Sequence, residues 1–183
     1  MKGMVAMRFE KISYEQWKKD WDSVQTDMYQ SEDACKQAYD NIILPTRSTE
    51  GSAGYDFRIP YEFSVHKEDT RCTGMPYNTR LLTGIRWADA DENTAMLLLV
   101  RSSSGSKYNI RLSNSVGLID SDYYKAENEG HIMLNIVNDP RYAVITLPAN
   151  TKIGQGVIIP YKTINGDSAT GKRTGGFGST GVN

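Results

Sequence analysis

Tyr55-Asp56-Phe57-Arg58-Ile59-Pro60-Tyr61-Glu62-Phe63-Ser64-Val65 places an apolar residue at every second position. A period of two puts Tyr55, Phe57, Ile59, Tyr61, Phe63 and Val65 on one face of extended chain, the pattern of a half-buried strand. Pro60 has no N–H to give to a ladder, so it marks an edge or a break between two strands. Beyond it, residues 66–80 are polar, carry Gly74 and Pro76, and read as a loop. Leu81–Trp87 and Thr94–Val100 read as strands on either side of the acidic turn Asp89–Asn93. Val116–Ile119, Ile132–Val137, Tyr142–Leu147 and Val157–Tyr161 are further short apolar runs, separated by Gly, Asn, Asp or Pro. Many short strands with no helix signalled between them predict a mainly β fold, a jelly-roll-like antiparallel β-barrel.

Upstream the texture changes. Trp17, Trp21, Val24 and Met28 are spaced four, three and four apart, one stripe of a helix. Ser13 and Gln16 have capping-box spacing ahead of that stripe. Ser31 precedes Glu32 and Asp33, a cap and acidic first turn for a second helix ending near Tyr39. The sequence therefore divides into an N-terminal helical extension over 1–40, a β core over 41–163 and a flexible, Gly-rich C-terminal segment over 164–183. The extension reads first as an appendage packed on the core, with a protein partner left open.

Composition narrows the function. The chain has 183 residues, 39% hydrophobic and 23% charged, with a net charge of −1. That size suits one domain with a sizeable core, and that charge argues against nucleic acid or a membrane surface as a partner. No apolar run reaches membrane-spanning length and no signal-peptide pattern opens the chain. Cys35 and Cys72 form no disulfide framework, so a reduced, cytoplasmic setting is expected. With His66 and His131 they are four scattered candidates for zinc, too few for a convincing site.

Polar groups gather instead in five blocks. Gly51-Ser52-Ala53-Gly54-Tyr55-Asp56 gives a carboxylate after a tight turn. Arg101-Ser102-Ser103-Ser104-Gly105-Ser106-Lys107 follows a strand and reads as a polar loop able to cradle phosphate, without P-loop spacing and without a helix after it. In Asn114-Ser115-Val116-Gly117-Leu118-Ile119-Asp120-Ser121-Asp122-Tyr123, burial of Val116, Leu118 and Ile119 would place Asp120 at a strand end, where a carboxylate can deprotonate a water. Asp122 would face away or sit in the turn. Asn114 both donates and accepts, as a base edge requires, and Tyr123 can pack beneath a sugar. Gly154-Gln155-Gly156 offers an amide to a phosphate or its water. Arg173-Thr174-Gly175-Gly176-Phe177-Gly178-Ser179-Thr180-Gly181 combines a phosphate-binding cation, permissive backbone and an aromatic face for a base, the makings of a nucleotide lid. Each block also has an ordinary reading as turn, cap or tail.

In this order the five blocks resemble the trimeric dUTP diphosphatase (dUTPase) family from about Leu44 to Gly181. The resemblance implies a β jelly-roll-like subunit, a homotrimer with active sites shared between subunits, and Mg²⁺-dependent hydrolysis of dUTP to dUMP and pyrophosphate. It implies Asp120 as the base activating water at the α-phosphorus, with Asp56 supporting the arginine and the metal-bound waters. It further implies uracil and sugar contacts from Asn114, Gly117, Leu118, Ile119, Tyr123 and Met133. Phosphate contacts would come from Arg101, Ser102, Ser103, Gly105 and Gln155, and a lid from Arg173, Phe177, Gly178 and Ser179. No side chain is expected to ligate the metal directly, the triphosphate and waters holding it. Two departures stand out: Val100 replaces a common Pro, and Tyr124-Lys125-Ala126-Glu127-Asn128-Glu129 is inserted before Gly130. Alternatives on the same fold are a dCTP deaminase and a nucleotide-sensing regulator using residues 1–40 for a partner. The deaminase pattern Asp-Pro-Gly-Phe is absent at Asp120–Tyr123.

Overall fold

The structure, a computed structural model, describes residues 6–24, 31–66, 79–137 and 144–175. Met28, residues 67–78 and Phe177, Gly178 and Ser179 lie outside the described residues; of the loop expected over 66–80, His66 ends β4 and Thr79 and Arg80 open β5. The chain opens with strand β1 (Arg8–Lys11), then α1 (Tyr14–Val24) and α2 (Glu32–Asp40). Strands β2 (Thr46–Arg47), β3 (Tyr55–Ile59), β4 (Phe63–His66), β5 (Thr79–Ala88) and β6 (Thr94–Val100) follow. After helix α3 (Ser102–Tyr108) come β7 (Arg111–Leu112), β8 (Gly117–Asp120), a 3₁₀ turn (Tyr123–Lys125), β9 (Ile132–Val137), β10 (Val144–Leu147) and β11 (Thr151–Pro160). All pairings are antiparallel. One sheet runs β1-β5-β9-β7, another β2-β3-β11-β6-β8, and β10 pairs with β4. Among the described residues the sheets are open rather than closed into a ring. No described helix is long and apolar enough to cross a membrane.

The period-two stretch splits at Pro60 into β3 and β4, and Phe57, Ile59, Tyr61, Phe63 and Val65 are all buried. On the opposite face Asp56 is buried as well, because three polar neighbours cover it. The expected loop after β6 is instead helix α3. Ser and Gly are poor helix formers, which hid it. Buried Ser104 and Ile110 anchor it, and Asn109 ends it in the left-handed conformation that Asn tolerates. Val116 and Leu118, expected inside, are exposed, while Gly117 and Ile119 are buried. β8 lies at the edge of its sheet, so alternate residues leave the core.

The N-terminal segment is knitted into the same core. Trp17 and Trp21 are buried with Cys35, Ala38 and Ile42, in one cluster with Phe57, Tyr61, Leu82 and Ile132. Trp21 packs edge-on to Tyr61, ring centroids 5.0 Å apart. β1, which the sequence did not signal, pairs with β5 from Arg8 opposite Ala88 to Lys11 opposite Ile85. On its other side β5 shifts register against β9 between Leu82 and Ile85, around Gly84, which has φ +70°. A Cβ there would lie 2.3 Å from Ile42 Cδ1, so only glycine lets the helices sit this close. Half of the capping box is present: the Gln16 N–H donates to Ser13 Oγ at 3.1 Å. The acceptor for the Ser13 N–H is not the Gln16 amide but Glu129, which accepts that N–H at 2.8 Å and the Ser13 hydroxyl at 2.6 Å. Ser31 caps α2 through the Ala34 N–H at 3.1 Å, as its sequence suggests.

Candidate active site

The polar blocks assemble at two places set by β6. At its C-terminal end, Arg101 follows Val100, and β11 and β3 lie alongside. Asp56 Oδ1 sits 3.0 Å from Arg101 Nε. Its Oδ2 accepts from Lys152 Nζ at 2.7 Å and Ser48 Oγ at 2.8 Å. Burial pushes this carboxyl upward, but the hydrogen bonds from Lys152 and Ser48 and the nearby charges of Arg101 and Lys152 outweigh it and hold it below the usual range. Asp56 is therefore an anion that fixes Arg101 through Nε and leaves the guanidinium's outer nitrogens for another acceptor. Ser102 and Ser103 follow Arg101 at the start of α3, where backbone N–H groups lack helical partners, with Gly105 in the same helix. Gln155 stands opposite Asp56 on β3 and Leu99 on β6. A Cβ on Gly54 would lie 2.7 Å from Gln155 Oε1, so that turn needs a glycine to admit the amide. The described part of this end thus offers three cationic or amide groups and free helix N–H groups to an anion.

Near the start of β6, Asp120 ends β8 opposite Ala95. Its side chain is 46% exposed. Arg173 reaches back from the C-terminal segment and pairs with Asp120 through Nη2 and with Asp122 Oδ1 at 2.9 Å through Nε. Asp122 therefore does not face away: the turn after β8 brings it beside Asp120. The Arg173 guanidinium also lies over the Tyr123 ring, 5.5 Å from its centroid. Tyr123 is buried, and its hydroxyl donates to the His131 carbonyl at 3.0 Å while accepting from Asn128 Nδ2 at 3.0 Å. Burial raises its pKa, which keeps the hydroxyl a donor. Met133 is buried on β9, and Asn114 is exposed in the turn before β8.

His131 is fully buried. Its Nε2 accepts the Gly84 N–H at 2.9 Å, so the ring proton is on Nδ1, which donates to Asp20 Oδ2 at 2.7 Å. Burial pushes the imidazole pKa down against the pull of Asp20 and Glu129.

The chain's likeness to known proteins runs along these same blocks. A model of the dUTPase family matches residues 40–181. The chain belongs to the dUTPase family. The deoxyuridine 5'-triphosphate nucleotidohydrolase of Lactococcus lactis is 37% identical over 145 residues, covering 77% of this chain and 89% of that protein. Its counterpart from Bordetella avium is 36% identical over 143 residues, covering 75% and 88%. The crystal structure of a dUTPase from Streptococcus mutans superposes with a TM-score of 0.62 at 29% identity, over 87% of this chain and 99% of that one.

Of the residues singled out from the sequence, the structure gathers Asp56, Arg101 and Gln155 at one end of β6 and Asp120, Tyr123 and Arg173 at the other. The sequence reading missed Ser48 and Lys152, which join Asp56 from 8 and 96 positions away and carry no local signal. It missed Asp20 and Glu129 for the same reason. An Asp at 120 followed by another at 122 was the available hint to the paired grip on Arg173.

Proposed function

We propose that this protein hydrolyses dUTP to dUMP and pyrophosphate in the cytoplasm, removing dUTP from the nucleotide pool and supplying dUMP. The observation that carries the reading is the match to the dUTPase family over 40–181, joined to an exposed carboxylate, Asp120, at the end of β8. Asp120 takes a proton from a water as its oxygen bonds to the α-phosphorus. The bond from that phosphorus to the bridging oxygen breaks, and pyrophosphate leaves with the electron pair. Arg101, oriented by Asp56, and Gln155 bind the phosphates, with Ser102, Ser103 and Gly105 beside them. Such transfers depend chiefly on positioning and charge neutralisation. The hard oxygens of the triphosphate, with waters, would hold Mg²⁺, and no side chain would ligate it directly, Asp56 being taken up by Lys152, Ser48 and Arg101. When bound, Mg²⁺ neutralises the triphosphate. Tyr123, tied back through its hydroxyl, forms a fixed floor under the deoxyribose, against which a 2′-hydroxyl would collide. Asn114, Gly117, Leu118, Ile119 and Met133 surround the uracil. Arg173 exchanges its carboxylate partners for the terminal phosphate as Phe177, Gly178 and Ser179 close over the base.

A single chain does not bring the two ends together. Ala95, opposite Asp120, and Arg101 are six residues apart on one extended strand, so about 20 Å. Val116 and Leu118 expose apolar surface on the strand that ends in Asp120. Both features support a homotrimer in which Asp120 of one subunit meets Arg101 of another. Product analysis with Mg²⁺ on dUTP, dCTP, dTTP and UTP tests the activity. Pyrophosphate and dUMP from dUTP alone are expected. Ammonia and dUTP from dCTP would instead indicate a deaminase, and binding of dUTP without turnover would indicate a nucleotide sensor.

A further inference from the structure

The two parts of the chain that depart from the family pattern touch each other. The family match begins at residue 40, and the Tyr124–Glu129 insertion follows the proposed sugar floor, Tyr123, directly in sequence. Ser13 binds Glu129 twice. Asp20 holds the His131 ring. Between these anchors Gly130, with φ +71°, closes the loop so tightly that a Cβ would lie 2.7 Å from Tyr124 Cα and 2.8 Å from the Tyr123 carbonyl oxygen. The Arg86 guanidinium clamps the outer side, 4.7 Å from the Tyr124 ring centroid and 3.6 Å from Glu129 Oε2. The His131 carbonyl in turn accepts the Tyr123 hydroxyl at 3.0 Å, and β9 with Met133 starts at the next residue. A continuous path of buried contacts therefore runs from α1 through His131 to Tyr123.

We propose that Asp20 is a positioning residue for the nucleotide pocket, and that the N-terminal segment and the Tyr124–Glu129 insertion form one buttress that sets the height of Tyr123 and the start of β9. The segment acts through His131 and touches no substrate. Its loss lets the Tyr123 ring drop, which weakens nucleotide binding and admits a 2′-hydroxyl. This rests on Tyr123 being the deoxyribose floor.

The test is equilibrium titration of the full chain with dUpNHpp and UpNHpp, the imido analogues of dUTP and UTP, alongside kcat and Tm. In Asp20→Ala the Kd for dUpNHpp is expected to rise about tenfold and the preference over UpNHpp to fall about fivefold, with kcat at saturation nearly unchanged. Asp20→Asn keeps an oxygen to accept the Nδ1–H and is expected to restore both values to within about twofold of wild type. A lower Tm with unchanged Kd and unchanged preference would mean that Asp20 only supports the fold, and overturns the proposal. Should Asp20→Ala not fold, Ser13→Ala, which removes one of two bonds to Glu129, is expected to shift Kd in the same direction by about threefold; a wild-type Kd there overturns it equally. Wild-type chain that binds dUpNHpp without turning over dUTP would sink the proposed activity alone, whereas an Asp20→Ala chain that binds and discriminates like wild type sinks only the buttress.

Discussion

Asp56 and Asp120 lie beside opposite ends of β6, and the protein treats the two carboxylates in opposite ways. Asp56 is 5% exposed and accepts from Lys152, Ser48 and Arg101. Asp120 has about half its side chain open and pairs with Arg173. A carboxylate enclosed by donors is a scaffold: it keeps its charge and dictates where an arginine points. A carboxylate at an open strand end can receive a water and its proton. The first trades reactivity for rigidity, the second trades stability for access.

The sharpest way to break this contrast is Asp120→Asn. It is expected to lower kcat by about 10³-fold or more, with dUpNHpp still bound and Tm unchanged. Near-normal turnover would assign the base elsewhere. Deleting 173–183 is the next largest effect, about 10²- to 10³-fold in kcat for loss of one strong donor and the proposed lid, with the proposed trimer intact by light scattering. Normal turnover by the truncated chain would remove the lid from the mechanism. Asp56→Asn should cost about 10²-fold in kcat/KM and, unlike Asp120→Asn, should also destabilise. Removing the charge from a buried pair costs 3–5 kcal/mol, roughly halved here because Arg101 and Lys152 are partly wet, so Tm should fall by about 5 °C. If both variants left Tm untouched, the scaffold role of Asp56 would be lost.

The smallest expected effect concerns His131, held neutral by its contact with the Gly84 N–H. Its folded pKa is depressed below the unfolded value of about 6.5. The unfolded chain therefore takes up a proton first as pH falls. The stability from this group is full above about pH 6.5 and declines as pH falls from about 7 through that value toward the folded pKa. Tm measured across that window should decline, and His131→Gln should flatten the decline. A wild-type Tm constant over the window would contradict a neutral, buried imidazole.

Much of the sheet architecture was legible because alternation is a local signal. The split at Pro60, strand β6 at 94–100 and β9 at 132–137 all emerge from period two and turn residues. α3 was not, since Ser102–Ser106 has low helix propensity and its helix is held by the burial of Ser104 and Ile110. β11 begins six residues earlier than its apolar run, because Gly154 and Gly156 look like breaks until their neighbours, Leu99 and Met96, are seen pressing on them. In the site, residues that share a block were readable as a group. Ser48 with Lys152, Ser13 with Glu129 and Asp20 with His131 were not, because each pair is made by the fold and leaves no spacing to recognise.

The Ser13–Glu129 cap has a consequence for how the chain comes to be folded. α1 leaves the ribosome early, yet the carboxylate that closes its first turn and the imidazole that holds Asp20 are encoded more than a hundred residues later. At 5–20 residues per second, roughly 5 to 20 s pass before those partners exist. Contacts of such long sequence separation form late, so the Ser13–Glu129 and Asp20–His131 contacts are expected to close only after the chain around 129–131 has folded.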